Sequence, residues 1–225
     1  MRKAKGAGHV LVAHDTTPPR AVSSVYCTSI WRNAGEWKLD FMVAAPPSAL
    51  RLPAATAAQR TDGLWHHTCF ELFLLDPADG SYLEFNFSPS GEWAAYQFDG
   101  YRSGMRELDV TAPLILTSDP TQIHLAWSAH LRKLGLDEQV AAKLAEPLPS
   151  LAANIQHYWL SARFEHPGLW RGITCRAGLS AVIEEADGTK SYWALAHPPG
   201  KPDFHRAEGF ALELPPAGRR RGQLP

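Results

Sequence analysis

The chain has little of what most readily assigns a function. Its three cysteines, Cys27, Cys69 and Cys175, are widely spaced and form no Cys-x-x-Cys pair, which excludes a disulfide scaffold and a zinc ribbon and predicts reduced, buried thiols. Neither sign of charge is in excess: 22 Lys and Arg against 23 Asp and Glu give a formal net charge of −1. No long-range field therefore draws in a nucleic-acid backbone or an acidic lipid surface, so neither nucleic acid nor membrane is expected as a partner. The apolar stretch near the start is cut short by His14 and Asp15, too soon for a secretory leader or a membrane span, and the expectation is a soluble, cytoplasmic protein of bacterial type. A nucleophile elbow, a phosphate-cradling glycine loop and a dinucleotide fingerprint are all missing.

Helical periodicity is scarce as well, and alternation of apolar and polar residues takes its place. Strands are predicted over 22–31, 37–44, 65–75, 81–87, 92–98, 114–117, 122–131, 155–164, 173–183 and 191–196. Asp79-Gly80 and Asp187-Gly188 fall between alternating runs, where a glycine at positive φ closes a hairpin. The segment 137–145, rich in Ala, Leu, Glu and Lys and followed by Pro147, reads as a short inserted helix. The fold class is all-β, an antiparallel β-sandwich with that helix as decoration. Residues 1–214 form one domain, and the basic tail over 215–225 is expected to be disordered.

Side chains alternate across a strand, so Phe70, Leu72 and Leu74 share one face while Glu71 looks the other way with Trp65. In the next strand Leu83, Phe85 and Phe87 are apolar, and Glu84 and Asn86 oppose them; in the third, Ala94, Tyr96 and Phe98 are assigned inward and Trp93 and Gln97 outward. A meander of these strands makes one wall of indoles, carboxylates and amides, the groups that meet sugar C–H faces and hydroxyls. The same wall also reads as the solvated face of a sandwich, with no ligand implied. Two further segments matter. The run 101–109 carries Arg102 and Arg106, facing solvent or an anionic ligand group, and the proline-stiffened loop after Trp193 presents Lys201, Asp203, Phe204 and His205 beside that indole.

Through the strands LWHHTCFELFLLD and YLEFNFSPSGEWAAY, the Trp127 strand and the late hairpin AVIEEADGTKSYWAL, the chain resembles DOMON-like domains related to carbohydrate-binding module family 9. The resemblance covers most of 65–214 and is carried by strand motifs rather than a short signature. It implies an immunoglobulin-like sandwich that binds a sugar, or in other branches haem, without chemistry of its own. By position it makes Trp65 and Trp193 the candidates for the two rings that sandwich a sugar, and Glu71 matches the Glu of the family's strand motif. Thr68 stands where the family carries an acidic residue.

Other constellations point less far. Glu71 and Glu84 on adjacent strands have the layout of a retaining glycosidase, the enzymatic alternative. His66 and His67 point to opposite faces and cannot share an ion without a bulge. Haem lacks converging axial groups, since only Met42 and Met105 are internal, and calcium has no signature beyond its carboxylates. The sequence therefore predicts a non-catalytic domain, with no required cofactor, that binds a carbohydrate or sugar-containing small molecule through Trp65, Glu71, Glu84, Asn86, Arg102, Trp193, Lys201 and His205.

Overall fold

A computed structural model describes residues 8–33, 35–118, 155–166 and 174–216, apart from the side chains of Asn33 and Ser118. The strand expected over 122–131, the helix expected over 137–145 and nearly all of the basic tail lie outside the described residues. Within them the only helical pieces are single 3-10 turns, at Leu64–His66 and Ala207–Gly209. No helix among the described residues is long and apolar enough to cross a membrane.

Everything else regular is β. The strands are β1 (His9–Ala13), β2 (Ser24–Asn33), β3 (Glu36–Ala45), β4 (Cys69–Leu75), β5 (Tyr82–Phe87), β6 (Trp93–Phe98), β7 (Arg106–Glu107), β8 (Leu114–Ser118), β9 (Gln156–Glu165), β10 (Cys175–Glu184), β11 (Lys190–Ala194) and β12 (Leu212–Leu214). They pair antiparallel in the order β7-β6-β5-β4-β10-β11-β1-β2-β3-β9-β8, with β12 beside β10. Instead of two separate sheets there is one continuous ladder, curled over on itself. The crossing point is β1: His9, Val10 and Leu11 pair with β2, whereas Val12 and Ala13 pair with β11. In the sequence this segment stands out only as an apolar run too short for a leader.

The curl sets one half of the ladder against the other, and apolar side chains fill the space between. Phe41 on β3 meets Phe70 on β4 with ring centroids 5.1 Å apart, and Phe85 on β5 stacks on Phe164 of β9 at 4.4 Å. Leu72, Leu74 and Phe87 are fully buried in the same core, on the face that the alternation assigned to them. The two hairpin turns also form as read: Gly80 and Gly188 adopt φ of 80° and 87° and close β4–β5 and β10–β11.

A second apolar cluster lies on the outer face of the β4–β5–β6 half. Phe73, Tyr82, Tyr96, Phe98 and Phe210 are buried there, with Leu64 at one edge and Phe204 packed against them. Phe73 stacks on Phe210 at 5.6 Å and Tyr82 on Phe98 at 4.6 Å. The cover thus comes from the loop before β12. Gly178 on β10 makes the approach possible, since a Cβ there would lie 2.6 Å from the Phe210 ring. The facing in β6 is the reverse of the one expected. Tyr96 pairs with Glu84 and Ala94 with Asn86, so these side chains share the Glu71 face, while Trp93 enters the main core.

Candidate functional site

Strand register brings the predicted polar residues together. Glu71 on β4 lies between Asn86 on β5 and Ser180 on β10, and Glu84 sits two residues along β5, diagonal to Glu71. The wall is real, but it is not open. Glu71 is 2% exposed, Glu84 4% and Asn86 0%, because Phe204, His205 and Phe210 lie across this face. Sequence alternation reports facing and is blind to a cover contributed from more than 100 residues away.

Burial dictates the electrostatics of these groups. The Ser180 hydroxyl donates to Glu71 at 2.9 Å, and Asn86 Nδ2 donates to Glu84 at 2.7 Å. Removal from water nevertheless raises Glu71 to about 8, helped by the charge of Glu84, and raises Glu84 to about 7 through the same desolvation. Among the described residues, Asn86 Oδ1 is buried without a hydrogen-bond partner. His205 is pushed the other way, to about 4, by burial and then by the positive charge of Arg102. Its imidazole is neutral at physiological pH, so the 3.8 Å approach to Glu84 is not an ion pair. His205 Nδ1 is hydrogen-bonded to the Tyr82 hydroxyl at 2.8 Å, and that hydroxyl accepts the Arg102 backbone N–H at 3.2 Å.

Arg102 links this buried layer to the surface. Its φ of 50° is left-handed, a conformation that costs a non-glycine residue roughly 1–2 kcal/mol. Asp203 holds the side chain: its Oδ1 accepts from Arg102 at 2.9 Å and from the His205 backbone N–H at 3.1 Å, and its Oδ2 accepts from the Tyr101 hydroxyl at 2.6 Å. Burial opposes ionisation of Asp203, yet the hydrogen bonds from Tyr101 and Arg102 outweigh it and hold the carboxyl below its ordinary range. Between this loop and Pro198–Pro202 opens a cleft of about 290 Å³, lined by Tyr101, Arg102, Lys201, Arg206 and the rings of Pro198, Pro199 and Pro202. Arg102 and Arg206 both lie against the Tyr101 ring, at 6.0 and 5.8 Å from its centroid. Gly200, at φ 114°, allows the turn between the prolines.

The two predicted stacking rings do not meet. Trp193 is 5% exposed, pairs with Ala181 and belongs to the main core, where its indole N–H donates to Ser191 at 2.9 Å. Tyr192 and Ala194 occupy the outer face instead, and Phe204 packs near Tyr192, at 6.0 Å, rather than beside Trp193. Trp65 belongs to a 3-10 turn rather than a strand; it is 36% exposed and stands edge-on to Tyr96 at 6.4 Å. Three predicted residues do gather at the cleft, with Arg102 and Lys201 in its wall and His205 directly beneath. Tyr101 and Arg206 were missed; each adjoins a residue already singled out, but only the folded loops bring them together. No group of three or more His, Cys, Asp or Glu side chains is placed to hold a metal among the described residues. His67, at one end of the sheet, contacts Glu184 at 2.7 Å.

No family model matches the chain, and no curated protein matches it. Its fold is similar to that of a "putative carbohydrate-binding protein" from Bacteroides uniformis ATCC 8492, with a TM-score of 0.55 and 13% identity over 92% of this chain and 84% of that one. Weaker likeness, at a TM-score of 0.47 and 11% identity over 98% and 87% of the two chains, extends to a carbohydrate binding module family 9 protein from Caldicellulosiruptor kristjanssonii in complex with cellotriose.

Proposed function

We propose that this protein is a non-catalytic ligand-binding domain for a carbohydrate or a sugar-containing small molecule, seated in the cleft between Tyr101–Arg102 and the proline loop. An immunoglobulin-like relationship to DOMON and family 9 domains belongs to the same proposal. The observation that carries it is the construction of that cleft. Arg102 is held in a left-handed conformation and anchored by Asp203, a strained and prepositioned donor of the kind that functional sites retain. Guanidinium and ammonium groups donate to sugar oxygens, while pyrrolidine rings supply apolar surface for C–H faces. At about 290 Å³ the space is near the lower end of small-molecule sites, roughly 300–1,000 Å³, and suits one sugar-sized unit. The fold shared with a protein described as carbohydrate-binding supports the reading.

Glu71 and Glu84 have a supporting role in this account. A retaining glycosidase needs both carboxyls open to the scissile bond, and here they are 2% and 4% exposed, beneath aromatic side chains. Calorimetric titration with a panel of neutral and acidic monosaccharides and disaccharides tests the proposal. Saturable binding of at least one saccharide, lost in Arg102→Gly, is expected. No heat with any member of the panel overturns it.

A further inference from the structure

We infer that the ligand carries an anionic substituent, a carboxylate or a phosphate, and that Lys201 and Arg206 receive it. This inference rests on the proposed sugar-binding reading and specifies the chemical class of the ligand. Most polar groups in the cleft are already engaged with one another.

Among the described residues Asp203 is the one carboxylate in the wall, and both of its oxygens are committed. Oδ1 accepts from Arg102 and the His205 backbone, and Oδ2 accepts from Tyr101. Its charge is offset by Arg102, 2.9 Å away. The Tyr101 hydroxyl donates to Asp203, and two guanidiniums lie within about 6 Å of its ring centroid. His205 is neutral and bound to Tyr82. The prolines bring no N–H. Two cations are left over: Lys201 has no carboxylate partner among the described residues, and neither has Arg206, whose guanidinium lies 5.8 Å from the Tyr101 ring centroid.

A site made for a neutral sugar balances donors with acceptors, because every hydroxyl is both. This cleft has donors to offer and no uncommitted carboxylate. With three cationic side chains facing one neutralised carboxylate, it complements a group that only accepts hydrogen bonds and carries negative charge. Arg206, with its guanidinium 5.8 Å from the Tyr101 ring centroid, offers a planar fork, and Lys201 adds a point charge from the same loop, across from Arg102. The chain as a whole is nearly neutral at −1, so this positive character is local.

The test is calorimetry on the full chain with glucose, glucuronic acid, its neutral methyl ester, glucose 6-phosphate and inorganic phosphate, at low and at physiological salt. The expected result is at least about tenfold tighter binding of glucuronate or glucose 6-phosphate than of glucose or the ester, since one charge-assisted contact is worth about that factor. Added salt should reduce the advantage. Whichever acidic sugar gains identifies carboxylate or phosphate as the source. The double variant Lys201→Gln/Arg206→Gln, with unfolding as the fold control, should remove the advantage, so that the acidic sugars bind the variant no more tightly than glucose does. If glucose and the acidic sugars bind equally, the charge inference is overturned and the sugar-binding reading stands. If inorganic phosphate binds as tightly as glucose 6-phosphate, the anion site is upheld and the sugar reading is overturned. Failure of every ligand in the set overturns both.

Discussion

The two faces of the β4–β5–β6 half are both buried, yet they are buried differently. The inner face closes against the other half of the ladder through Phe70, Leu72, Leu74, Phe85 and Phe87, a wholly apolar set. The outer face is closed by a loop, and beneath that loop aromatic rings alternate with Glu71, Glu84, Asn86 and Ser180. Burying those polar groups costs stability unless each finds a partner, whereas the inner face buries little that is polar, the Trp93 indole N–H being one such group. The inner face holds the fold together. The outer face supports Tyr82, His205 and Arg102, and through them one wall of the cleft.

The sharpest way to break this comparison is to truncate an indole on each side. Trp193→Ala should lose about 3–5 kcal/mol, as a large side chain removed from a packed core does, whereas Trp65→Ala should lose less than about 1 kcal/mol. Denaturant unfolding of the two variants decides it, and comparable losses would show that Trp193 is not a core residue.

Next in size is Gly178→Ala. The added methyl would lie 2.6 Å from the Phe210 ring, and overpacking of this kind costs about 1–3 kcal/mol. Because the strain acts on the cover, hydrogen exchange should accelerate around 204–210 more than in β3 or β9.

A pH series separates the faces by charge. Glu71 and Glu84, raised to about 8 and about 7 in the folded chain, keep protons that the unfolded chain releases near its ordinary value of about 4.5. Their contribution is complete below that pH and is lost as pH rises through the folded values. His205, lowered to about 4, opposes them only below about 6.5, where the unfolded imidazole takes up a proton that the folded one refuses. Between pH 6.5 and 8, then, stability should fall as pH rises, by on the order of 1 kcal/mol per pH unit. Glu71→Gln should flatten the slope, and an unchanged slope would contradict the assignment.

The smallest expected stability change belongs to Arg102→Gly. Glycine accepts φ of 50° without strain, and this gain offsets the loss of a partly exposed ion pair worth at most about 1 kcal/mol. Unfolding should shift by no more than about 1 kcal/mol, while ligand affinity falls at least about tenfold.

Much of the fold was legible in the sequence where one face of a strand is uniformly apolar. Phe70-Glu71-Leu72 and Phe85-Asn86-Phe87 announce their facing, and Asp-Gly pairs announce the hairpins. The reading fails where both faces are apolar. In β6, Trp93 and Ala95 face one core while Ala94, Tyr96 and Phe98 face another, so alternation alone gives no direction. Trp193, between Tyr192 and Ala194, is misassigned for the same reason. The curl was hidden as well, since it depends on β1 changing partners halfway along five residues. Of the site, Arg102, Lys201 and His205 were legible as unusual side chains in turn and proline-rich segments. Their convergence with Tyr101 and Arg206 depends on loops about 100 residues apart in the chain, which no local pattern encodes.

The most direct test of the central claim is residue-resolved amide shift mapping during titration with glucuronic acid and with glucose. Saturable perturbations at 101–103 and 199–206, with the core strands β3 and β9 unmoved, are the predicted result. Perturbations centred on Trp65, with 199–206 silent, would contradict it.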